Sequence, residues 1–144
     1  MPHYAARAAR APVTARRMPT FAVADDPQAV FHSEGELLLY VQIRDAGLEM
    51  PTHYGTAQFH IHVGGKQPFR PDFTWEPYGF SVEVMGYTWS KHYGATIPDD
   101  YRRHNAIALT GWRVLYVTTD MVMKTHEALD WVRRALALAQ RGAW

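Results

Sequence analysis

The sequence predicts an α/β fold, a mixed central sheet flanked by helices in the order α-βββ-α-β-α. Three observations predict it. Ser33 followed three residues later by Glu36 is a capping box, and apolar residues at helical spacing come after it. Residues 57–85 alternate apolar and polar in short runs broken by Gly and Pro. A run of strong β-formers at 112–118 lies between two further helical patterns.

Each element has its own signal. After Ser33, Leu37, Leu38, Val41 and Leu48 mark the apolar side of the first helix, Gly47 ends it and Pro51 forbids continuation. Residues 57–63 place Phe59, Ile61 and Val63 on one side of a strand, with His60 and His62 on the other. Gly64-Gly65 reads as a hairpin turn into a second strand at 69–75, and residues 76–79 turn into a third at 80–85. Asp99 or Asp100 caps a helix reaching about Thr110, with Ala106, Ile107 and Leu109 inward, and Gly111 stops it. Strand 112–118 follows, then a short helical turn at 119–123. Thr125 caps a last helix to about Gln140, with Leu129, Val132, Leu136 and Ala139 at helical spacing.

The chain has 144 residues, enough for one domain with a real core. Two regions are expected: a basic, flexible arm at 1–30 and a folded domain at 31–144. No apolar run approaches a membrane span, and no secretory core follows the N-terminal arginines, so a cytoplasmic protein without a membrane partner is expected. The absence of Cys removes disulfides, thiolate zinc sites and thiol nucleophiles. The net charge of +1 hides an asymmetry. Residues 1–20 carry four arginines and no acid; residues 21–100 carry eleven acids and four bases; residues 101–144 carry seven bases and three acids. Basic ends around an acidic middle suit a protein that grips a polyanion and holds a cation at its centre. An unevenly charged solvated surface gives the same pattern.

Two acids stand out. Asp72 follows Pro71 on the second strand, and Glu83 lies between Val82 and Val84 on the third. The turn at Pro77-Tyr78-Gly79 separates them, so a hairpin brings them together, on one face if the register agrees. A strand glutamate among valines is costly to bury unpaired. A divalent cation relieves that cost; an arginine or a backbone partner does so too.

Pro71-Asp72 with Glu83-Val84-Met85 resembles the PD-(D/E)xK nuclease signature. The segments FSVEVMGYTWSKH and DDYRRHNAIALTGWRVLYVTTDMV add to the likeness. Together they resemble the small nucleases related to the very-short-patch-repair endonuclease and their phage relatives, over roughly residues 33–139. The resemblance implies a restriction-endonuclease-like fold and a divalent-metal-dependent DNA endonuclease of repair, restriction or junction-resolving type. It implies Mg2+ or Mn2+ held by Asp72, Glu83 and the carbonyl of Val84. It also makes Glu36 the family's first-helix glutamate, beside its reading as a cap. The family's zinc site is not expected here, because the chain has no Cys.

One position departs from the pattern. Met85 stands where the family usually has Lys, and a thioether neither orients water nor holds a hard cation. Arg103, two residues before Asn105, falls where the phage relatives usually carry a lysine. It and Lys91 are the candidates for the displaced polar function and for neutralising phosphate charge, although an arginine is no general base. For DNA contact the candidates are Trp89, Lys91 and His92 in the aromatic loop after Gly86, together with Arg102 and Arg103. A hydrophobic cluster beneath that loop and a solvated helix face are the plain alternatives. His60 and His62 share a strand face, but no third ligand stands at helpful spacing. Two functions remain: an endonuclease acting on DNA, which a homodimer would suit for paired cuts, or a DNA-binding module that kept the fold and lost the chemistry.

Overall fold

The computed structural model describes residues 21–23, 25–64, 67–86 and 96–144. Its elements are β1 (Phe21–Val23), β2 (Asp26–Phe31), α1 (Glu34–Asp45), β3 (His53–Tyr54), β4 (Phe73–Trp75), β5 (Phe80–Met85), α2 (Thr96–Leu109), β6 (Arg113–Thr118), α3 (Thr119–Met123) and α4 (Glu127–Gln140). A four-stranded mixed sheet runs β3-β4-β5-β6, antiparallel except for the parallel pair β5–β6. The fold is therefore mixed α/β. Among the described residues no helix is long and apolar enough to cross a membrane.

Period-two alternation sorts the sheet into two faces. Phe73, Trp75, Phe80, Val82, Val84 and Val117 pack with Leu39 and Ile43 of α1 and Val132 and Leu136 of α4 in the main core. On the other face Ile61, Phe69 and Ile107 of α2 form a second apolar cluster, joined by Phe59, Val63, Trp112 and Val114. Helices thus cover both sides of the sheet, as a parallel pair joined by a crossover helix requires.

The first helix keeps its expected ends: Ser33 Oγ accepts the Glu36 N–H at 3.2 Å, and Gly47 follows the C-cap at φ +65°. Its buried residues are Gly35, Leu39, Tyr40 and Ile43, with Leu37, Leu38, Val41 and Leu48 half-buried. α3 and the strand before it also match. α4 begins after His126, with Thr125 Oγ1 accepting the Glu127 N–H at 3.4 Å. Its buried stripe is Ala128, Val132, Ala135 and Leu136; Leu129 and Ala139 are half-buried. Leu109, expected inward, is 90 % exposed, because the last turn of α2 projects past the second cluster.

Further expectations change: α2 begins at Thr96, so Asp99 lies within its first turn and neither Asp99 nor Asp100 is its cap. Residues 57–63 are not a strand; they meet 69 through a single antiparallel bridge, Ile61–Phe69, with N–H···O bonds of 2.8 and 2.9 Å. Continuing that register two residues sets Phe59 against Pro71, which has no N–H to give, so the ladder stops. The second strand shrinks to Phe73–Trp75, and His53–Tyr54 takes the edge beside it.

Residues 21–23 and 26–30, expected within an uncommitted arm, form with Phe31 the β1–β2 hairpin, and Ala29 and Phe31 belong to the main core. The hairpin is tied down by Asp26, whose Oδ2 accepts the hydroxyls of Tyr40 (2.9 Å) and Tyr54 (2.5 Å). Residue 55 crosses β2 so closely that a Cβ there would lie 1.8 Å from the Gln28 carbonyl oxygen, and its φ is +60°. Only glycine fits both conditions. Residues 1–20 of the expected arm lie outside the described residues.

Candidate functional site

β4 and β5 pair Phe73 with Val82. One step further along the register sets Asp72 directly opposite Glu83. The Asp72 N–H donates to Glu83 Oε2 at 3.3 Å, and Asp72 Oδ2 accepts the Val84 N–H at 2.7 Å. β5 outruns β4 here, so the Asp72 side chain takes the N–H that a longer β4 would have paired. A strand residue's N–H and C=O share one edge, which puts the Val84 carbonyl on the edge that Asp72 occupies. The hairpin between the acids turns through Glu76–Tyr78 and closes at Gly79 in the left-handed region.

Asp72 is buried, with 9 % of its surface exposed, and the Glu83 side chain keeps 18 %. Burial pushes the Asp72 carboxyl well above its ordinary range, and the Glu83 charge pushes it further. Glu36 raises it too, as a neighbouring carboxylate to which a protonated Asp72 can donate and as a further negative charge; the Val84 N–H pulls the other way. Glu83 is pushed up to about 7 by burial, opposed by the Arg103 guanidinium and the Asp72 N–H and reinforced by Glu36.

Glu36 reaches the site because α1 starts beside it. Gly35 lies against Val84 and Thr119: a Cβ at position 35 would meet Thr119 Cγ2 at 3.2 Å and Val84 Cγ1 at 3.5 Å. The missing side chain lets the first turn of α1 sit down on the end of β5. Only half of the capping box forms. Among the described residues the Ser33 side chain caps the Glu36 N–H, and the Glu36 carboxylate lies close enough to Asp72 to push its carboxyl up.

On the other face α2 supplies Arg103. Its Nη2 lies 3.9 Å from Glu83 Oε1, and its guanidinium covers the Phe69 ring at 4.9 Å. A recess of about 350 Å3 opens here, lined by Val63, Gln67, Pro68, Phe69, Arg70, Glu83 and Arg103. Two residues at this place escaped the sequence reading. Arg70 lines the recess, and its only signal was its position two residues before Asp72. Tyr116 lies opposite Glu83 in the parallel β5–β6 register, with the His104 ring 4.4 Å from its own. Burial pushes the Tyr116 hydroxyl up, with Arg103 opposing and Glu83 adding to the rise.

The structure thus brings together Glu36, Asp72, Glu83, Val84 and Arg103. Arg102 instead points to solvent and pairs with Asp99 at 2.7 Å. Met85 is half-buried on the strand face that carries Glu83. His60 and His62 are exposed. Trp89, Lys91 and His92 lie outside the described residues.

Among the described residues no group of three or more His, Asp or Glu side chains forms a ready cation cage. The donors nonetheless fit a hard divalent ion. Magnesium takes one or two carboxylates and completes its shell with water. Two opposed, desolvated carboxylates with a third beside them need either protons or a cation to coexist. Comparison with protein-family models, curated proteins and solved structures finds no match.

Proposed function

We propose that the chain is a divalent-metal-dependent DNA endonuclease with a restriction-endonuclease-like fold, hydrolysing phosphodiester bonds with Mg2+ or Mn2+. The observation that carries this reading is the direct opposition of Asp72 and Glu83 at the end of the β4–β5 ladder, with Glu36 close to Asp72. The resemblance of Pro71-Asp72 and Glu83-Val84-Met85 to the PD-(D/E)xK signature supports it.

The residues divide the work. Asp72, Glu83 and the Val84 carbonyl are the oxygen donors for the ion. When bound, that ion neutralises phosphate charge and lowers the pKa of attacking water. Glu36 holds its carboxyl against Asp72 and sets that carboxylate's orientation and charge. Arg103 presents a permanent cation beside Glu83, placed to receive a phosphate oxygen or the charge that develops on it. Phe69 beneath the guanidinium limits its freedom.

Met85 favours a second reading, a DNA-binding module that has lost its chemistry, because no lysine stands next to Glu83 to orient water. One assay separates the two. Supercoiled plasmid and labelled oligonucleotides are incubated with the full chain in Mg2+ and in Mn2+. Nicking that disappears in Asp72→Asn, with DNA binding retained, supports the endonuclease. Salt-dependent DNA binding without cleavage in either ion supports the module. Failure to bind any DNA at low salt removes both.

A further inference from the structure

We infer that the recess beside Glu83 is a pocket for a single unpaired nucleotide, so that the preferred substrate is DNA with an unstacked base next to the bond to be cut. This rests on the endonuclease reading and adds the substrate class to it.

The first argument is size and shape. At about 350 Å3 the recess lies at the small end of the roughly 300–1,000 Å3 range of ligand pockets. It is concave, whereas a duplex backbone needs only a charged surface to track. A base held in a pair has no route into it.

The second argument is chemistry. One wall is apolar, from Val63, Pro68 and Phe69, and suits the flat face of a base. Arg103 lies over Phe69 and also lines the recess, and a planar guanidinium is a surface on which a base can stack. Arg70 is a second cation in the same recess, so a positive excess survives even with Glu83 ionised. Gln67 brings an amide, which both donates and accepts and so suits a base edge. A phosphate on the arginines and a base on the apolar wall satisfy the whole lining at once. A recess for a bare anion would have no use for the apolar wall.

The test is binding of the full chain, without added divalent cation, to three oligonucleotides: a paired duplex, the same duplex with one bulged nucleotide, and the single strand. The bulge carries 2-aminopurine, whose fluorescence reports a change in stacking. The expected result is at least tenfold tighter binding of the bulged than of the paired duplex, with a change in the 2-aminopurine signal. Gln67→Trp fills the recess from an exposed position without changing charge; it should bring the preference to within twofold, with the loss falling on the bulged duplex. Arg70→Ala, also at an exposed position, should weaken the bulged duplex at least fivefold more than the paired one. Equal affinity for bulged and paired DNA, or a preference that survives Gln67→Trp, overturns the assignment. Cleavage assays in Mn2+ keep the two ideas apart. Cutting without preference leaves the endonuclease and removes the pocket; selective binding without cutting removes the endonuclease and leaves the pocket's ligand.

Discussion

Asp72 and Glu83 face each other across the β4–β5 pair, and the Asp72 backbone N–H is bonded to the Glu83 carboxylate at 3.3 Å while the Asp72 carboxylate takes the Val84 N–H at 2.7 Å. Two acids are thereby fixed in one buried place by the very hydrogen bonds that end the sheet. Neither can swing out to solvent without breaking a backbone bond, so the strain of like charges stays at the site.

That strain has a pH signature. Glu83 binds its proton more tightly folded, at about 7, than unfolded, near 4.5, and Asp72 shifts in the same direction. Between those pH values the folded chain holds more protons, so stability falls as pH rises through the window. Without divalent ion, melting temperature should drop from pH 5 to pH 8. Asp72→Asn and Glu83→Gln should each flatten the drop and raise Tm at pH 8 by about 5 °C, the effect of roughly 1–2 kcal/mol in a domain this size. Mn2+ should raise wild-type Tm more at pH 8 than at pH 6 and leave both variants unmoved. A wild-type Tm that does not change from pH 5 to 8 would contradict the coupling.

The site was legible in part, for physical reasons. The alternation of Val82, Glu83 and Val84, and a turn of fixed length back to Asp72, are local signals, and they set the pair's register. Tyr116 was not legible, because its place opposite Glu83 depends on a parallel pairing made through a crossover helix. The β1–β2 hairpin was missed because its anchors, Tyr40 and Tyr54, are distant in sequence. The strand expected at 57–63 had true alternation: Ile61 is buried and Phe59 and Val63 half-buried. Pro71, outside the pattern, denied it a ladder.

Glu36 offers a way to separate a cap from a site residue. Ser33→Ala removes the oxygen that accepts the Glu36 N–H and should cost about 1 kcal/mol of stability. Its Mn2+ affinity should stay within twofold of wild type. Glu36→Gln keeps the helix turn but removes a charge beside Asp72. It should lower Mn2+ affinity about tenfold, the scale of residues that orient metal ligands, with stability equal to wild type or higher. Calorimetric titration of Mn2+ reads the first quantity and urea unfolding the second. If Glu36→Gln merely loses stability like Ser33→Ala, Glu36 is a capping residue alone.

Gly35 should resist even a methyl group. In an open helix, Gly→Ala gains about 1 kcal/mol. Here the new Cβ would meet Thr119 Cγ2 at 3.2 Å and Oγ1 at 3.3 Å. Overpacking of that kind costs about 1–3 kcal/mol, so a net loss near 1 kcal/mol is expected. Thr119→Ala removes both atoms. The double variant should recover the loss, giving a coupling of about 1 kcal/mol in a denaturation cycle. Additive effects would show that α1 does not rest on Thr119.

Asp26 should hold the N-terminal hairpin to the domain. Its carboxylate accepts from Tyr54, Tyr40 and the Gln28 N–H, and the Phe31 ring of the same strand lies tilted to Tyr40 at 5.5 Å and stacked with Tyr54 at 6.5 Å. Asp26→Ala leaves two part-buried hydroxyls without an acceptor and should cost about 1–3 kcal/mol. The pH dependence has the opposite sign to that of Glu83. The Tyr54 hydroxyl, above all, holds the Asp26 carboxyl below its ordinary value, so its contribution is present above pH 4 and lost as acid protonates it. Asp26→Asn should therefore destabilise at pH 7, with the difference from wild type shrinking as the pH falls below the ordinary carboxylate range. Amide exchange over residues 25–31 should accelerate in the variant at neutral pH while that of β5 stays slow, because Val82 and Val84 share the main core with α1 and α4 as well as with the hairpin. Equal acceleration in both would mean that the hairpin and the sheet open as one unit, and that Asp26 supports the whole fold rather than a docked ribbon.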